Sequence, residues 1–325
     1  MRLRSLRERE IVSSIRREFT AKARGLVLGI GDDAAVIRGG KGPSLLTTDL
    51  LIEDVHFIVS LNPPRLLGRK SLNVNLSDIA AMGGTPRFAL LGLALRGNLD
   101  RAWVRDFFGG IKAAAEEFGV SLIGGDISAA GKIAISVTIV GEGETFIPRS
   151  GARPGDLIYV SGYLGDAASG LRQLRKGFRP GQDKNADHLI RAFLDPLPQI
   201  ALGRAISRLK AASSMIDTSD GLSVDLRHLC EESGTGAEVE PARLPLSPAI
   251  RSIERYPERL ALHGGEDYQL LFTVRPEKSG EIERLSRRFR IGRIGRMTRG
   301  NDVQLVDARG IRRPLEPKGY EHLRK

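Results

Sequence analysis

The sequence predicts an α/β protein made of two domains. Strand and helix patterns alternate from residue 44 to about residue 145. A segment rich in proline, glycine and charge follows at 148–156, and a new strand pattern starts directly after it. With 325 residues, 41% of them hydrophobic, the chain is long enough for two domains of ordinary size. We therefore expect one α/β domain at 1–146 and a second at 147–325.

The elements of the first predicted domain follow from the spacing of its apolar residues. Apolar side chains four apart around Ile15 indicate an amphipathic opening helix with arginines on its outer face. Gly83-Gly84, with Pro86 beyond, marks the end of a later helix. The predicted helices span 66–82 and 103–118, and the predicted strands span 44–51, 87–95, 122–123 and 133–140.

The second predicted domain begins with a strand at 157–161. A helix that starts at Leu222 has leucines on one face, and Gly234 lies just past its end. Further helices are predicted at 167–174 and 200–209, and a further strand at 268–274. We interpret 177–187 as a polar surface loop and the residues after 274 as basic and rich in loops.

Cysteine usage and hydropathy exclude several classes of protein. Cys230 is the single cysteine, so no intrachain disulfide can form, and this usage fits a reducing compartment. No apolar run approaches the roughly 18 residues of a membrane span. The N-terminus is too charged for a signal peptide. These features predict a cytoplasmic protein that does not bind membranes.

The net charge of +11 suits an acidic partner. Phosphorylated substrates and nucleic acid both qualify. However, only 5% of residues are aromatic, which leaves few rings for stacking on bases. A nucleic-acid-binding module would also show salt-sensitive binding to any duplex, without a requirement for Mg²⁺. We expect a basic solvated surface and no nucleic-acid partner.

The stretch Leu28-Gly29-Ile30-Gly31-Asp32-Asp33-Ala34-Ala35-Val36 organises the chemistry of the chain. Adjacent carboxylates repel each other, so they persist near a core where a metal ion or backbone amides compensate. The glycine spacing resembles a dinucleotide fingerprint, but Asp32 and Asp33 stand where a pyrophosphate needs bare amides. Similar islands recur at Thr47-Thr48-Asp49, Asn75-Leu76-Ser77-Asp78, Gly124-Gly125-Asp126, Asp217-Thr218-Ser219-Asp220-Gly221 and Gly264-Gly265-Glu266-Asp267. We expect these islands to converge on one site.

These islands supply oxygen donors, which Mg²⁺ selects together with waters and substrate phosphates. The candidate ligands are Asp33, Thr48, Asp49, Asp78, Asp126, Asp217 and Asp220. The sequence contains no zinc-binding His-Glu-x-x-His, no P-loop and no His-Arg-Asp catalytic loop. The residues by themselves therefore indicate a metal-dependent enzyme that acts on phosphates.

Several candidates also have ordinary structural explanations. Asp49 is consistent with a turn or cap residue, and His56 with a half-buried histidine whose hydrogen bonds are satisfied. Asn75 and Asp78, three apart on a helix, suit either a hydrogen-bonded helix contact or a cation site. Residues 218–220 precede a helix, where they suit either an anion site or a simple cap. Spacing alone leaves these alternatives open.

Taken together, the motifs resemble the thiamine-monophosphate kinase family of the aminoimidazole-ribonucleotide-synthetase-like superfamily. The match follows the family's order from residue 29 to residue 268, and a closing motif stands at 318–320. The motifs are the islands named above, with Val55-His56-Phe57 and Arg149-Ser150-Gly151-Ala152-Arg153-Pro154-Gly155-Asp156. The resemblance implies an N-terminal sheet domain that dimerises, a C-terminal α/β domain, and ATP-dependent phosphorylation of thiamine monophosphate to thiamine diphosphate.

The resemblance also implies roles for individual residues. It assigns Mg²⁺ binding to Asp33, Thr47, Thr48, Asp49, Asp78, Asp126, Asp217 and Asp220. It assigns ATP contacts to Gly125, Arg149 and Ser219, and thiamine-monophosphate contacts to His56, Glu266 and Tyr320. The implied cofactors are several Mg²⁺ ions, with ATP as co-substrate and a monovalent cation as a further candidate.

Three positions depart from the family pattern. Asp54 replaces a glycine before the Val-His-Phe motif, Ile127 replaces a threonine, and Gln269 replaces a common glutamate. Selenophosphate synthetase and hydrogenase-maturation dehydratases share the superfamily, but they carry a reactive cysteine near one terminus, whereas this chain has only Cys230. Both rivals therefore fit the sequence poorly.

A direct mechanism follows from the chemistry of the implied acceptor. Its phosphate has a second pKa near roughly 6 and is already ionised at neutral pH, so no general base is needed. We expect in-line transfer without a phosphoenzyme, in which Asp33, Asp78 and Asp126 act as scaffold residues.

Overall fold

The structure is a computed structural model that describes residues 17–18, 25–28, 36–37, 39 and 42–319. The opening helix around Ile15, the carboxylates Asp32 and Asp33, and Tyr320 lie outside the described residues. The described chain forms two compact units. The first unit runs to Ile79 and includes Thr85–Glu144, and the second contains Ala80–Gly84 and the chain from Thr145 onward. The boundary predicted at residue 147 is one between domains that fold independently, which is a different property from compactness, and it stays a prediction.

The first half of the chain contains a four-stranded sheet with the order β3-β6-β4-β5. Only β4 and β5 are parallel, and the other neighbours are antiparallel. The elements are β1 (Leu26–Leu28), β2 (Val36–Ile37), β3 (Ser44–Ile52), α1 (Pro64–Ala81), β4 (Thr85–Leu95), α2 (Arg101–Phe118), β5 (Ser121–Ala129) and β6 (Ala134–Glu142). The predicted strands at 44–51, 87–95 and 133–140 and both predicted helices are confirmed.

One face of this sheet is buried and the other is open. On β6, Ile135, Val137 and Ile139 are buried while the residues between them are half-buried, the alternation expected of a strand with one covered face. On the open face, the side chains of Leu46 and Leu50 are 71% and 50% exposed. The strand register places Leu90 of β4 on the same face, because it lies opposite Thr138 and Thr138 lies opposite Thr48.

The second unit is built on a seven-stranded sheet with the order β13-β12-β9-β11-β7-β10-β8. Its strands are β7 (Leu157–Ser161), β8 (Ala212–Asp217), β9 (Gly236–Val239), β10 (Leu270–Val274), β11 (Ile291–Thr298), β12 (Val303–Val306) and β13 (Arg312–Pro314). Its helices are α3 (Asp166–Arg175), α4 (Lys184–Leu194), α5 (Ile200–Leu209), α6 (Leu222–Ser233), α7 (Pro248–Ile253), α8 (Pro257–His263) and α9 (Ser279–Ser286).

The predictions for α3, α5, α6 and β7 are confirmed. The chain leaves α6 through Gly234, whose φ of 63° is left-handed and therefore favours glycine. The strand predicted from residue 268 begins at Leu270 and is buried throughout.

Two expectations are wrong and a third is too short. The loop predicted at 177–187 ends early, because Asp183 accepts a hydrogen bond from the Ala186 amide (2.8 Å) and starts α4 at Lys184. The strand predicted at 122–123 continues as β5 to Ala129, so the Gly-Gly-Asp motif lies within a strand. The part after residue 274 is not mainly loop but supplies β11, β12 and β13, and exposed arginines on β11 and β13 hid the strand pattern.

Candidate active site

In the first unit, β3 and α1 bring four of the predicted polar residues together. The hydroxyl of Thr47 donates to Asp78 Oδ2 at 2.5 Å, and the backbone amide of Asp49 donates to Asn75 Oδ1 at 2.9 Å. The Asn75 amide group donates to the Ser71 carbonyl one turn earlier on α1, which orients its oxygen toward β3. Asn75 is therefore a helix–strand contact, and Asp78 is held facing the strand that carries Asp49.

The electrostatics of this cluster favour a bound cation. Burial, with a contribution from the Asp78 carboxylate, raises the pKa of Asp49 from 3.8 to about 6. Within the described part of the chain, no donor reaches the Asp49 carboxylate, and only its backbone amide is bonded. A pair of repelling carboxylates with an uncompensated oxygen fits a hard divalent ion such as Mg²⁺.

Thr48 and Asp126 lie on the opposite face of the same sheet. The Thr48 hydroxyl donates to the Val137 carbonyl (3.1 Å) and accepts from the Thr138 hydroxyl (3.0 Å). Asp126 is paired with Gly92 on β4, in the row of residues that also contains Leu50. The sheet therefore divides the predicted ligands of this unit between its two faces.

Gly125 adjoins this row, and its environment explains the residue type. A Cβ atom at Gly125 would overlap the Leu91 carbonyl oxygen of β4. Any side chain would push β5 away from β4, so the Gly-Gly-Asp motif needs glycine there for packing, apart from any role in binding ATP.

His56 lies in a turn directly after β3. Its Nδ1 accepts a hydrogen bond from the Ile52 amide at 3.0 Å, so the neutral ring carries its proton on Nε2. Asp54 in the same turn has a left-handed φ of 66° and forms an ion pair with Lys132 at 3.3 Å. Glycine adopts this conformation without strain and aspartate better than most residues, which explains why this position can exchange the two.

In the second unit, two predicted islands are joined by backbone hydrogen bonds. The turn that follows β8 contains Thr218 and Ser219, and the loop between α8 and β10 covers 264–269. The Thr218 amide donates to the Gln269 carbonyl (2.8 Å), and the Tyr268 amide donates to the Thr218 carbonyl (2.9 Å). The Glu266 amide donates to the Ser219 carbonyl (2.7 Å). A predicted ATP contact and a predicted substrate contact are thus neighbours.

The 264–269 loop has an unusual backbone. Glu266 and Tyr268 have φ values of 68° and 49°, in the left-handed region that costs a residue with a side chain about 1–2 kcal/mol. A Cβ atom at Gly265 would lie 2.6 Å from the Ser219 carbonyl oxygen, so only glycine permits this approach. Strain of this kind persists where surrounding contacts enforce it, and it is concentrated at functional sites.

Asp225 is a site residue that the sequence analysis missed. It is buried in α6, and its carboxylate accepts the Gly221 amide at 2.9 Å, while no side chain caps the helix at Gly221 itself. Burial and the nearby carboxylates of Asp217 and Asp220 raise its pKa well above the usual value. The Gly221 amide before α6 is therefore satisfied from within the helix by Asp225. The sequence feature that could have identified Asp225 is its position, one helical turn into α6.

The C-terminal motif packs against the same turn. A Cβ atom at Gly319 would overlap the Asp220 carbonyl oxygen, and the Lys318 amide lies 3.4 Å from the Ser223 hydroxyl. The Ser223 hydroxyl is also hydrogen-bonded to His263 Nδ1 at 2.9 Å. Gly319 therefore lies against this turn, and Tyr320 is outside the described residues.

The backbone of Arg149 lies near the C-terminal end of α6. Its carbonyl oxygen accepts a hydrogen bond from the Ser233 hydroxyl (3.3 Å), at the C-terminal end of α6. Ser219 precedes the other end of that helix. Across the described ranges, no three His, Cys, Asp or Glu side chains form a group that could hold a metal ion. The eight-residue metal set, which includes Asp33, stays a prediction.

Two remaining features are the hydropathy of the helices and the environment of the single cysteine. None of the helices in the described ranges is both long and apolar enough to cross a membrane. Cys230 is buried, and burial raises its pKa to about 12, so the thiol is not a nucleophile at neutral pH.

Comparison with known proteins assigns the family. Residues 31–142 match the AIR synthase related protein, N-terminal domain, and residues 153–308 match the corresponding C-terminal domain. A thiamine-monophosphate kinase of Aquifex aeolicus is 39% identical over 99% of this chain and 100% of the relative. The crystal structure of thiamine-monophosphate kinase from Stenotrophomonas maltophilia superposes with a TM-score of 0.84 at 34% identity, covering 92% of this chain and 96% of that one.

A second solved structure is AaThiL complexed with AMPPCP and TMP. It superposes with a TM-score of 0.80 at 37% identity and covers 99% of both chains. The two-domain fold expected from the motifs is therefore confirmed. Agreement over nearly the full length, rather than at one motif, shows that the chain belongs to the thiamine-monophosphate kinase family.

Proposed function

We propose that this protein transfers the γ-phosphate of ATP to thiamine monophosphate and releases thiamine diphosphate and ADP. The observation that carries the proposal is the similarity, over 99% of both chains, to AaThiL in complex with AMPPCP and TMP. Relatives from Aquifex aeolicus and Escherichia coli, each 39% identical to this chain, are named thiamine-monophosphate kinase. The acidic cluster and the two joined islands provide surfaces of suitable chemistry for phosphates.

Residues of the first unit are suited to hold Mg²⁺. Asp49 and Asp78 present carboxylates that repel each other, and Thr47 orients Asp78. When bound, Mg²⁺ would neutralise charge on the phosphates and align them for in-line transfer. The full proposed set is Asp33, Thr47, Thr48, Asp49, Asp78, Asp126, Asp217 and Asp220. Several ions, and a monovalent cation in addition, are part of this proposal.

The protein's own part in the reaction is to bind and orient. The acceptor phosphate is ionised at neutral pH, so no side chain has to remove a proton. His56, Glu266 and Tyr320 are proposed to contact thiamine monophosphate, and Gly125, Arg149 and Ser219 to contact ATP. The left-handed backbone at Glu266 and its bond to Ser219 support this, because they hold a substrate contact beside an ATP contact.

We further infer a homodimer that forms through the open face of the first sheet. Leu46 and Leu50 on the edge strand β3 are 71% and 50% exposed, and Leu90 continues the apolar surface. An exposed apolar sheet face of this kind favours association with a second copy. Light scattering after size exclusion should give a dimer, and Leu46→Lys with Leu50→Lys should give a monomer. A wild-type monomer at micromolar concentration would contradict this inference.

A cytoplasmic location is part of the proposed function.

The decisive experiment measures ADP formation from ATP with and without thiamine monophosphate, in Mg²⁺ and in excess EDTA. We expect turnover that requires both thiamine monophosphate and Mg²⁺. Inosine-type acceptors and selenide serve as comparison substrates from the rest of the superfamily. Equal turnover with those acceptors, or turnover that ignores thiamine monophosphate, would overturn the proposed substrate.

A further inference from the structure

The 264–269 loop is strained, and something other than its own sequence must hold it. Glu266 and Tyr268 both adopt left-handed φ values, although neither is glycine. Asp267, between them, is the residue whose side chain turns into the protein, and it is 7% exposed. The source of the strain and the buried anchor are thus adjacent.

The Asp267 carboxylate caps a helix that lies about a hundred positions earlier in the chain. It accepts the Gly165 amide at 2.6 Å and the Ala167 amide at 3.1 Å. Both donors belong to the start of α3, where no local side chain provides a cap. Amides at a helix start need acceptors, and a carboxylate also interacts favourably with the helix dipole. Asp267 therefore binds the loop to α3 through two hydrogen bonds from backbone amides.

The residues that connect the loop to α3 are closely packed. A Cβ atom at Gly264 would lie 2.6 Å from the Ala168 Cβ, and one at Gly165 would lie 2.7 Å from the Ala261 amide nitrogen. On the other side, the Glu266 amide is bonded to the Ser219 carbonyl. The loop is therefore held between α3 and the turn that precedes α6, and Glu266 is the residue bonded to that turn.

We propose that Asp267 is a positioning residue that enforces the left-handed backbone of Glu266 and so sets the affinity for thiamine monophosphate. This inference rests on the proposed function through the role given to Glu266. Among the described residues, the hydrogen bonds of the Asp267 side chain go to the Gly165 and Ala167 backbone amides, so its effect on substrate is proposed to pass through Glu266. Without the clamp, Glu266 and Tyr268 would relax toward right-handed φ values, and the Glu266 side chain would change direction.

The test compares Asp267→Asn with the matched control Asp183→Asn. Both substitutions keep the size of a helix-capping side chain, but Asp183 caps α4 from a polar segment far along the chain from the loop. In Asp267→Asn an amide NH₂ must face one of the two donors. We expect the KM for thiamine monophosphate to rise about tenfold or more, with the KM for ATP within about twofold and kcat little changed. The control should match the wild type.

Hydrogen exchange provides a readout that does not depend on the reaction. In Asp267→Asn, peptides covering 264–269 should exchange at least about tenfold faster, because the Glu266 and Tyr268 amides lose protection. Unchanged exchange and an unchanged KM for thiamine monophosphate would overturn the inference. An equal rise in both KM values, parallel to a lower melting temperature, would also overturn it, since it would show a general structural role.

Two further outcomes are separable. If the wild type does not phosphorylate thiamine monophosphate, the proposed function fails, while exchange at 264–269 still decides whether Asp267 holds the loop. If Asp267→Asn does not fold, Asp267→Ser keeps one acceptor oxygen in a smaller side chain. We then expect the same selective change in KM and exchange, and wild-type values in both would overturn the inference.

Discussion

Replacing Asp49 by asparagine should stabilise the metal-free protein while it impairs the enzyme. Burial and the Asp78 carboxylate raise the Asp49 pKa from 3.8 in the unfolded chain to about 6 in the fold. The native state therefore holds a proton more tightly than the unfolded state, so stability falls as pH rises from about 4 to 6. The shift of roughly two units corresponds to about 3 kcal/mol at pH 7, an upper limit because the carboxylate is partly exposed.

The measurement is urea unfolding of wild type and Asp49→Asn in EDTA at several pH values. We expect the variant to be more stable by up to about 3 kcal/mol at pH 7, and the difference to shrink as pH falls toward 4. Mg²⁺ should stabilise the wild type more than the variant, since binding to the native state shifts the equilibrium. Glu116→Gln, at an exposed carboxylate of the same unit with no role in the proposed site, serves as control and should stay within about 0.5 kcal/mol of wild type.

The outcome of this comparison tests the reasoning directly. If Asp49→Asn is no more stable than wild type at pH 7 in EDTA, the burial of the Asp49 charge and its repulsion by Asp78 are already compensated in the metal-free protein. A cation site between β3 and α1 would then have no electrostatic basis.

Three other predictions concern single side chains. Asp78→Ala should lower kcat by about a hundredfold or more with an unchanged fold by circular dichroism, and near-normal turnover would reject its role. Gln269→Glu restores the common family residue, but an ionised glutamate cannot donate to the Asp267 carbonyl as the Gln269 amide does (3.1 Å). Urea unfolding should therefore show a free energy of unfolding lower by about 1–2 kcal/mol. Equal stability would show that this bond contributes nothing. The hydrogen bond to Asp166 raises the pKa of His188, so the stability of this pair is present below pH 6.5 and lost as pH rises through the raised pKa. His188→Gln should therefore flatten the pH dependence of the urea midpoint above pH 6.5, and parallel curves would contradict this.

Much of the fold could be predicted from the sequence where local rules act. The helix at 200–209 was predicted with its observed ends, because apolar spacing and a charged C-terminal turn determine a surface helix locally. Gly234 ends α6 because the chain leaves the helix in a left-handed conformation, which glycine adopts without strain. The strands after residue 274 could not be predicted this way. The exposed positions of β11 carry arginines, and β11 is a strand because β9 and β7 lie beside it.

The candidate site was predicted in its residue types but only partly in its construction. The Gly-Gly-Glu-Asp-Tyr and Asp-Thr-Ser-Asp-Gly islands were expected to meet, and backbone bonds join them. The anchoring roles of Asp225 and Asp267 were not foreseen. Asp267 bonds to amides a hundred positions away, and no pattern within one segment can indicate such a partner.

The sequence by itself determined the chemical inventory of this protein: oxygen donors in several islands, glycines at close approaches, and a single thiol. The tertiary structure decided which donors face one another. Thr47 and Thr48 are adjacent in the chain, yet one binds Asp78 on the helix-covered face and the other binds Thr138 on the open face. Side chains alternate along any strand, but only packing of α1 against β3 determines which face is covered.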